Sequence, residues 1–82
     1  MLMTEEQLFK SEEKRPRAEI ARALRDAADQ IDSGDVTLAS DTAEQHVTVP
    51  EQSRFEVELE RLTDSETGEQ RYELEYEIRW TQ

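Results

Sequence analysis

Residues 71–80 read Arg71-Tyr72-Glu73-Leu74-Glu75-Tyr76-Glu77-Ile78-Arg79-Trp80, an unbroken alternation of apolar and charged side chains. Successive side chains on a β-strand point to opposite faces, so the alternation predicts a strand over about 71–80. Its apolar, even-numbered side chains would lie on one face and its charged, odd-numbered ones on the other. A helix would scatter both sets around its circumference.

The same alternation occurs upstream in Phe55-Glu56-Val57-Glu58-Leu59-Glu60 and predicts a strand over about 54–62. We expect the two strands to form an antiparallel hairpin with an apolar face and a carboxylate face. Two alternative lengths of the loop between these strands would keep the apolar residues of both strands on one face. A two-residue turn at 67–68 would pair Phe55 with Trp80, whereas a four-residue loop over 65–68 would shift every pair by two residues.

A helix is predicted over about 16–32. Proline at position 16 suits the first turn of a helix, and the glycine at position 34 suits its C-terminal end. Between them, apolar residues recur every three or four positions and form one helical stripe: Ile20, Leu24, Ala27, Ala28 and Ile31.

Two shorter strands are expected at about 36–39 and 46–49, and Gln7–Ser11 is a weaker candidate for a first strand. Residues 1–6 are expected to be disordered. The sequence thus predicts a single α+β domain over 1–82, an antiparallel four- or five-stranded β-meander with one α-helix packed on its apolar face.

The composition is strongly acidic, with 21 acidic and 10 basic residues and a formal net charge of −11. Two explanations stay open: adaptation to high salt, or a surface that binds a basic partner. The charge argues against direct binding of nucleic acid or of a membrane surface. The absence of cysteine and the presence of a single histidine exclude disulfides and the common zinc sites.

No apolar run reaches the length of a signal peptide or of a membrane span, so we expect a cytoplasmic protein, either a monomer or a weak homodimer. No constellation of nucleophile and base is present, and we expect neither an enzyme nor a bound cofactor or metal. The strongest candidates for contact with a protein partner lie on the C-terminal hairpin: Trp80, Glu56, Glu58, Glu60, Glu73, Glu75 and Glu77.

The only basic cluster surrounds the start of the helix. Arg15, Arg22 and Arg25 are candidates for contact with an anion. Acidic residues four positions after each arginine offer internal ion pairs as the alternative: Glu19, Asp26 and Asp29.

In the order and spacing of its segments the chain resembles the amphi-Trp family. The similarity extends over about 8–80 and is carried by the helix with its Ser33-Gly34-Asp35-Val36 ending, by Val47-Thr48-Val49-Pro50, by Phe55-Glu56-Val57-Glu58 and by the strand ending at Trp80. Many such proteins occur in halophilic archaea, and the family has no established biochemical activity. The resemblance therefore implies a fold and a saline habitat but no catalytic residue.

These observations favour a small non-enzymatic domain, a protein-interaction or accessory module adapted to high salt. The alternative is a nucleic-acid mimic or regulator that acts on a basic DNA-binding partner, with its carboxylate rows imitating phosphates.

Overall fold

The computed structural model describes residues 3–82 and contains one helix and four strands. Helix α1 spans Arg17–Ser33, and the strands are β1 (Asp35–Ala39), β2 (Glu44–Thr48), β3 (Arg54–Thr63) and β4 (Gln70–Arg79). The α+β class is confirmed, and the bounds of the elements lie within two residues of the predicted ones.

The chain forms two compact units, with the boundary between Val49 and Pro50. In the first unit β1 pairs with β2, and in the second β3 pairs with β4; both pairs are antiparallel. The described strands therefore form two two-stranded sheets. The single meander with the helix on its apolar face stays a prediction, as does the single domain over 1–82.

Helix α1 begins and ends through backbone hydrogen bonds. Pro16 is the N-cap residue, so α1 begins at Arg17, one position after the predicted start, and the Pro16 carbonyl accepts hydrogen bonds from the N–H groups of Glu19 and Ile20. At the other end Gly34 adopts a left-handed conformation, with φ of 91°, and its N–H donates to the carbonyls of Gln30 and Ile31. The predicted glycine stop is confirmed.

The C-terminal half of α1 lies beside β1. The Gln30 side chain accepts a hydrogen bond from the Thr37 N–H at 2.8 Å, and Ile31 and Val36 are half-buried. Towards the N-terminus the apolar stripe is uncovered, since Ile20 is 48% exposed and Leu24 is 51% exposed. No residue from 3 to 82 is fully buried.

The turn of the second unit selects between the two predicted registers. The Asp64 N–H donates to the Glu69 carbonyl at 2.8 Å and the Gly68 N–H to the Asp64 carbonyl at 2.9 Å, which closes a four-residue loop over 65–68. Phe55 consequently lies opposite Ile78, and not opposite Trp80. The register with the four-residue loop is confirmed, and the two-residue turn is wrong.

The Asp64 carboxylate stabilises this loop. It accepts hydrogen bonds from the N–H groups of Glu66 and Thr67 at 2.8 and 3.1 Å, which together hold the pKa of Asp64 below its usual range.

Residues 3–16 contain neither helix nor strand, so the five-stranded alternative with a strand at Gln7–Ser11 is wrong. The physical reason is that Leu8 and Phe9 are adjacent bulky apolar residues. A strand would direct their side chains to opposite faces, so they could not both pack against the same apolar surface. Of the predicted disordered segment 1–6, residues 1–2 lie outside the described part. No helix within 3–82 has the length and apolar composition that crossing a membrane requires.

Candidate functional site

The candidate site is the charged face of the β3–β4 hairpin. The confirmed register places glutamates directly opposite each other in three successive pairs: Glu56 with Glu77, Glu58 with Glu75, and Glu60 with Glu73. These six residues form the carboxylate ladder. Every residue predicted for the acidic part of the site is thus brought to one face of one hairpin.

Basic residues occupy the two ends of the ladder. Arg54 lies opposite Arg79 at one end, and Arg71 lies opposite Leu62 at the other. The Arg79 Nε lies 3.4 Å from the Glu77 Oε1, and one of its terminal nitrogens lies 3.8 Å from the Glu56 Oε1. Arg79 therefore compensates the charge of the first glutamate pair. The other two pairs form no ion pair with any described residue.

Like charges directly opposed across a hairpin are destabilising. In the ladder this repulsion favours the protonated form of one carboxyl group, that of Glu58. A hydrogen bond to the Glu60 carboxyl and the negative charge of Glu60 raise the pKa of Glu58 to about 7, and the charges of Glu56 and Glu75 act in the same direction. Five of the six ladder residues are exposed, so the repulsion also depends on the ionic strength of the solvent.

The chemistry of the ladder is that of an extended anionic surface. Among residues 3–82 no group of three or more acidic or histidine side chains is arranged to hold a metal ion. A planar row of carboxylates attracts cations or a basic protein surface through its summed potential.

The opposite face of the hairpin is apolar and largely open to solvent. Phe55 is 63% exposed and Leu59 is 68% exposed, and the rings of Phe55 and Tyr76 stack with centroids 6.3 Å apart. The hairpin therefore presents two surfaces of opposite character, one charged and one apolar.

Trp80 lies immediately after the end of β4 and is half-buried. It borders an open groove of about 560 Å³ at the end of the hairpin, together with Arg54, Ile78, Arg79 and Thr81. Trp80, which is predicted to contact a protein partner, thus lies at the end of the hairpin where Arg54 and Arg79 flank the carboxylate ladder.

Arg22 and Arg25 lie within α1, and their contact with an anion, like that of Arg15, stays a prediction. Arg15 precedes α1, and its Nε donates to the Glu13 Oε2 at 2.7 Å; the predicted ion pair of Arg15 with Glu19 is not formed. A hydrogen bond to Glu13 and the negative charge of Glu13 raise the pKa of Arg15. The predicted pairs of Arg22 with Asp26 and of Arg25 with Asp29 are likewise absent from the ion pairs of the described residues.

His46 is exposed and lies in β2. Its Nδ1 lies 2.9 Å from the Thr37 Oγ1 on the neighbouring strand, and its Nε2 lies 3.1 Å from the Glu44 Oε1. These contacts tie the ring to its own sheet.

Sequence reasoning did not anticipate the role of Arg54 and Arg79 as a directly opposed pair beside Trp80. The signal was the loop length, since the four-residue loop alone sets Arg54 opposite Arg79. Asp64 was part of the predicted turn, but its hydrogen bonds to the loop backbone were not foreseen.

The family model of the Amphi-Trp domain matches residues 3–82, which is nearly the whole chain. No curated protein and no solved structure is significantly similar. The two-faced hairpin that ends at Trp80 agrees with the segments on which the resemblance rests, and the chain belongs to the Amphi-Trp domain family.

Proposed function

We propose that the chain is a non-enzymatic protein-interaction or accessory module of the cytoplasm, adapted to high salt, whose carboxylate ladder and Trp80 contact a protein partner. The observation that carries the proposal is the register of β3 and β4, which aligns six glutamates on one face. Directly opposed glutamates cost stability in the isolated hairpin. A basic partner surface, or dense salt, would remove that cost.

The finer fold belongs to the same proposal. We infer that the four strands form one antiparallel meander and that α1 covers its apolar face. Two uncovered apolar surfaces support this: the stripe at Ile20 and Leu24, and the apolar face of the hairpin. A two-stranded hairpin is marginally stable until a further element covers its apolar side. The carboxylate ladder and the Trp80 end would then be the surfaces left for a partner, whether the chain is a monomer or a weak homodimer.

The test is affinity capture from the native host in multimolar potassium chloride, with the wild-type chain and two charge-matched variants as bait. The first variant replaces Glu56, Glu58 and Glu60 by Gln in the ladder. The second replaces Glu5, Glu6 and Glu12 by Gln in the exposed segment before α1. Both variants replace three glutamates and have the same formal net charge.

We expect a partner that the wild-type chain and the second variant retain and that the ladder variant loses. Equal loss with both variants would point to net charge alone, and the absence of any specific partner would contradict an interaction role.

The alternative function, nucleic-acid mimicry, can be judged by comparing the spacing of the carboxylates with that of the phosphates in DNA. Residues two apart on a strand are separated by about 6.8 Å, so two rows give about one carboxylate per 3.4 Å, half the linear charge density of B-DNA at about 1.7 Å. Competition with DNA for basic DNA-binding proteins of the host would support mimicry. Failure to displace DNA from any of them would reject it.

A further inference from the structure

The second edge of β4 is open. Within the part of the chain that the structure describes, β4 pairs with β3 along its whole length and with no other strand. Natural proteins commonly protect such an edge by keeping the strand short or by interrupting it with a proline or a bulge. β4 is ten residues long, contains no proline and pairs with β3 without a bulge. Its edge is therefore suited to pairing with a further strand.

The hydrogen bonds of the turn identify the backbone groups that point to this edge. The Asp64 N–H donates to the Glu69 carbonyl, and hydrogen-bonded pairs alternate with non-hydrogen-bonded pairs along two antiparallel strands. Counted from this pair, the three glutamate pairs are hydrogen-bonded ones. The even-numbered residues of β4 consequently direct their N–H and C=O groups to the open edge: Tyr72, Leu74, Tyr76 and Ile78.

The charges along β4 favour a second β4 strand as the partner. Near the start of the strand Arg71 is exposed and forms no ion pair with any described residue. Near its end, on the same face, lies the Glu77 carboxylate. Antiparallel pairing of two identical strands about a twofold axis brings the start of each strand to the end of the other. The two unlike charges then meet twice in one interface.

One register aligns these charges. With the axis at Leu74, Arg71 of each copy lies opposite Glu77 of the other, in a non-hydrogen-bonded pair, where opposed side chains are closest. With the axis one residue later, at Glu75, Arg71 would lie opposite Arg79, and every charged pair would be of like sign. A further shift would move Arg71 beyond the end of β4 in the second copy.

The apolar residues agree with the same register. Leu74 lies opposite Leu74 of the second copy, and Tyr72 lies opposite Tyr76. All three side chains are more than half exposed in the single chain. Cross-strand pairs of aromatic and aliphatic residues stabilise a sheet, and these contacts lie between neighbouring strands rather than on top of the sheet. An element that covers the apolar face would leave them in place.

We propose that two copies of the chain associate through the open edges of β4, antiparallel about a twofold axis at Leu74, with Arg71 of each copy opposite Glu77 of the other. The proposal goes beyond the protein partner and does not depend on it, because edge pairing leaves the carboxylate face of both hairpins open. Glu73 lies opposite Glu75 in this register, and each chain carries a net charge of −11. Association therefore strengthens as salt screens this repulsion.

The experiment measures the molar mass by sedimentation equilibrium over a series of protein concentrations in multimolar potassium chloride. The variants are Arg71→Glu, the charge swap Arg71→Glu with Glu77→Arg, and Arg25→Glu on the exposed surface of α1. Arg25→Glu is the matched control because it changes the net charge as Arg71→Glu does, while the charge swap keeps the wild-type net charge. Amide hydrogen exchange of the same samples is followed by NMR.

We expect the molar mass of the wild-type chain to approach twice that of a single chain as the concentration rises. Arg71→Glu should weaken this association at least about fivefold more than Arg25→Glu, because it replaces two attractive pairs by two repulsive ones. The charge swap should restore most of the loss. Exchange of the Leu74 and Tyr76 amides should slow as the concentration rises, because these amides gain hydrogen bonds only in the pair of chains.

Four results would overturn the proposal: the mass of a single chain under all conditions, equal weakening by Arg71→Glu and Arg25→Glu, a charge swap as weak as Arg71→Glu alone, or exchange of the edge amides that is independent of concentration. Dispersed spectra of each variant establish that it is folded. Failure to capture a protein partner would leave the molar mass unaffected, so the two proposals fail separately.

Discussion

One residue with a left-handed backbone conformation, Gly34, lies between α1 and β1. Gly34 ends α1 with φ of 91°, and its carbonyl accepts a hydrogen bond from the Val49 N–H at 2.8 Å. The same residue therefore terminates the helix and joins the start of β1 to the end of β2. Space is not the constraint, because a Cβ at this position would lie at an ordinary 3.8 Å from the Val49 carbonyl oxygen.

Gly34→Ala is expected to destabilise the protein through this backbone conformation. The left-handed region costs an alanine about 1–2 kcal/mol, which should lower the urea midpoint accordingly. Gly34→Asn should cost less, since asparagine tolerates this conformation. Ser53→Ala, in the exposed connection before β3, is the control and should leave the midpoint unchanged. Equal stability of the alanine variant and the wild-type chain would contradict the role given to Gly34.

At the scale of elements, alternation and helical spacing predict most of what is observed. The faces of β3 and β4 followed from the sequence because one misplaced residue would transfer a whole row of side chains to the other face. The register did not follow, because both loop lengths satisfy that parity. The choice rests on hydrogen bonds between the Asp64 carboxylate and the loop backbone, which no periodicity reports. The pairing of Arg54 with Arg79 was hidden for the same reason.

The carboxylate ladder should make the hairpin sensitive to pH. The pKa of Glu58 is raised from its ordinary value of 4.5 to about 7, so the folded state holds a proton that the unfolded state releases earlier. Stability should therefore be highest below pH 4.5 for this group and should fall as the pH rises to about 7.

Glu58→Gln removes this titration and one like charge. Its urea midpoint should exceed that of the wild-type chain at about pH 8, and the difference should shrink at about pH 4. Glu66→Gln, in the loop outside the ladder, is the control for the loss of one charge. A Glu58 carboxyl that titrates at its ordinary pKa in carbon-detected NMR would contradict the coupling to Glu60.

At the scale of the whole molecule, the sequence predicts composition-driven properties better than arrangement. The net charge of −11 and the placement of six glutamates on one face are both fixed by the residues and their alternation. The covering of one apolar surface by another depends on contacts between segments far apart in the chain, and short-range patterns contain little information about them. The exposed apolar stripe of α1 and the exposed apolar face of the hairpin each indicate a surface that another element should cover. Neither pattern indicates which element covers it.

Salt should stabilise the whole chain by screening its acidic surface. Charges interact over about 10 Å at 0.1 M ionic strength and over about 3 Å at 1 M, while opposed residues of a hairpin lie about 5 Å apart. Urea midpoints should therefore rise steadily between low and multimolar potassium chloride. The ladder variant with Gln at positions 56, 58 and 60 should show a shallower rise than the variant with Gln at positions 5, 6 and 12, although both carry the same net charge. Equal slopes would assign the effect to net charge alone, and flat midpoints would contradict screening altogether.

Dispersed NMR spectra already at low salt would show that folding does not require salt and would favour the ladder as a surface for a basic partner.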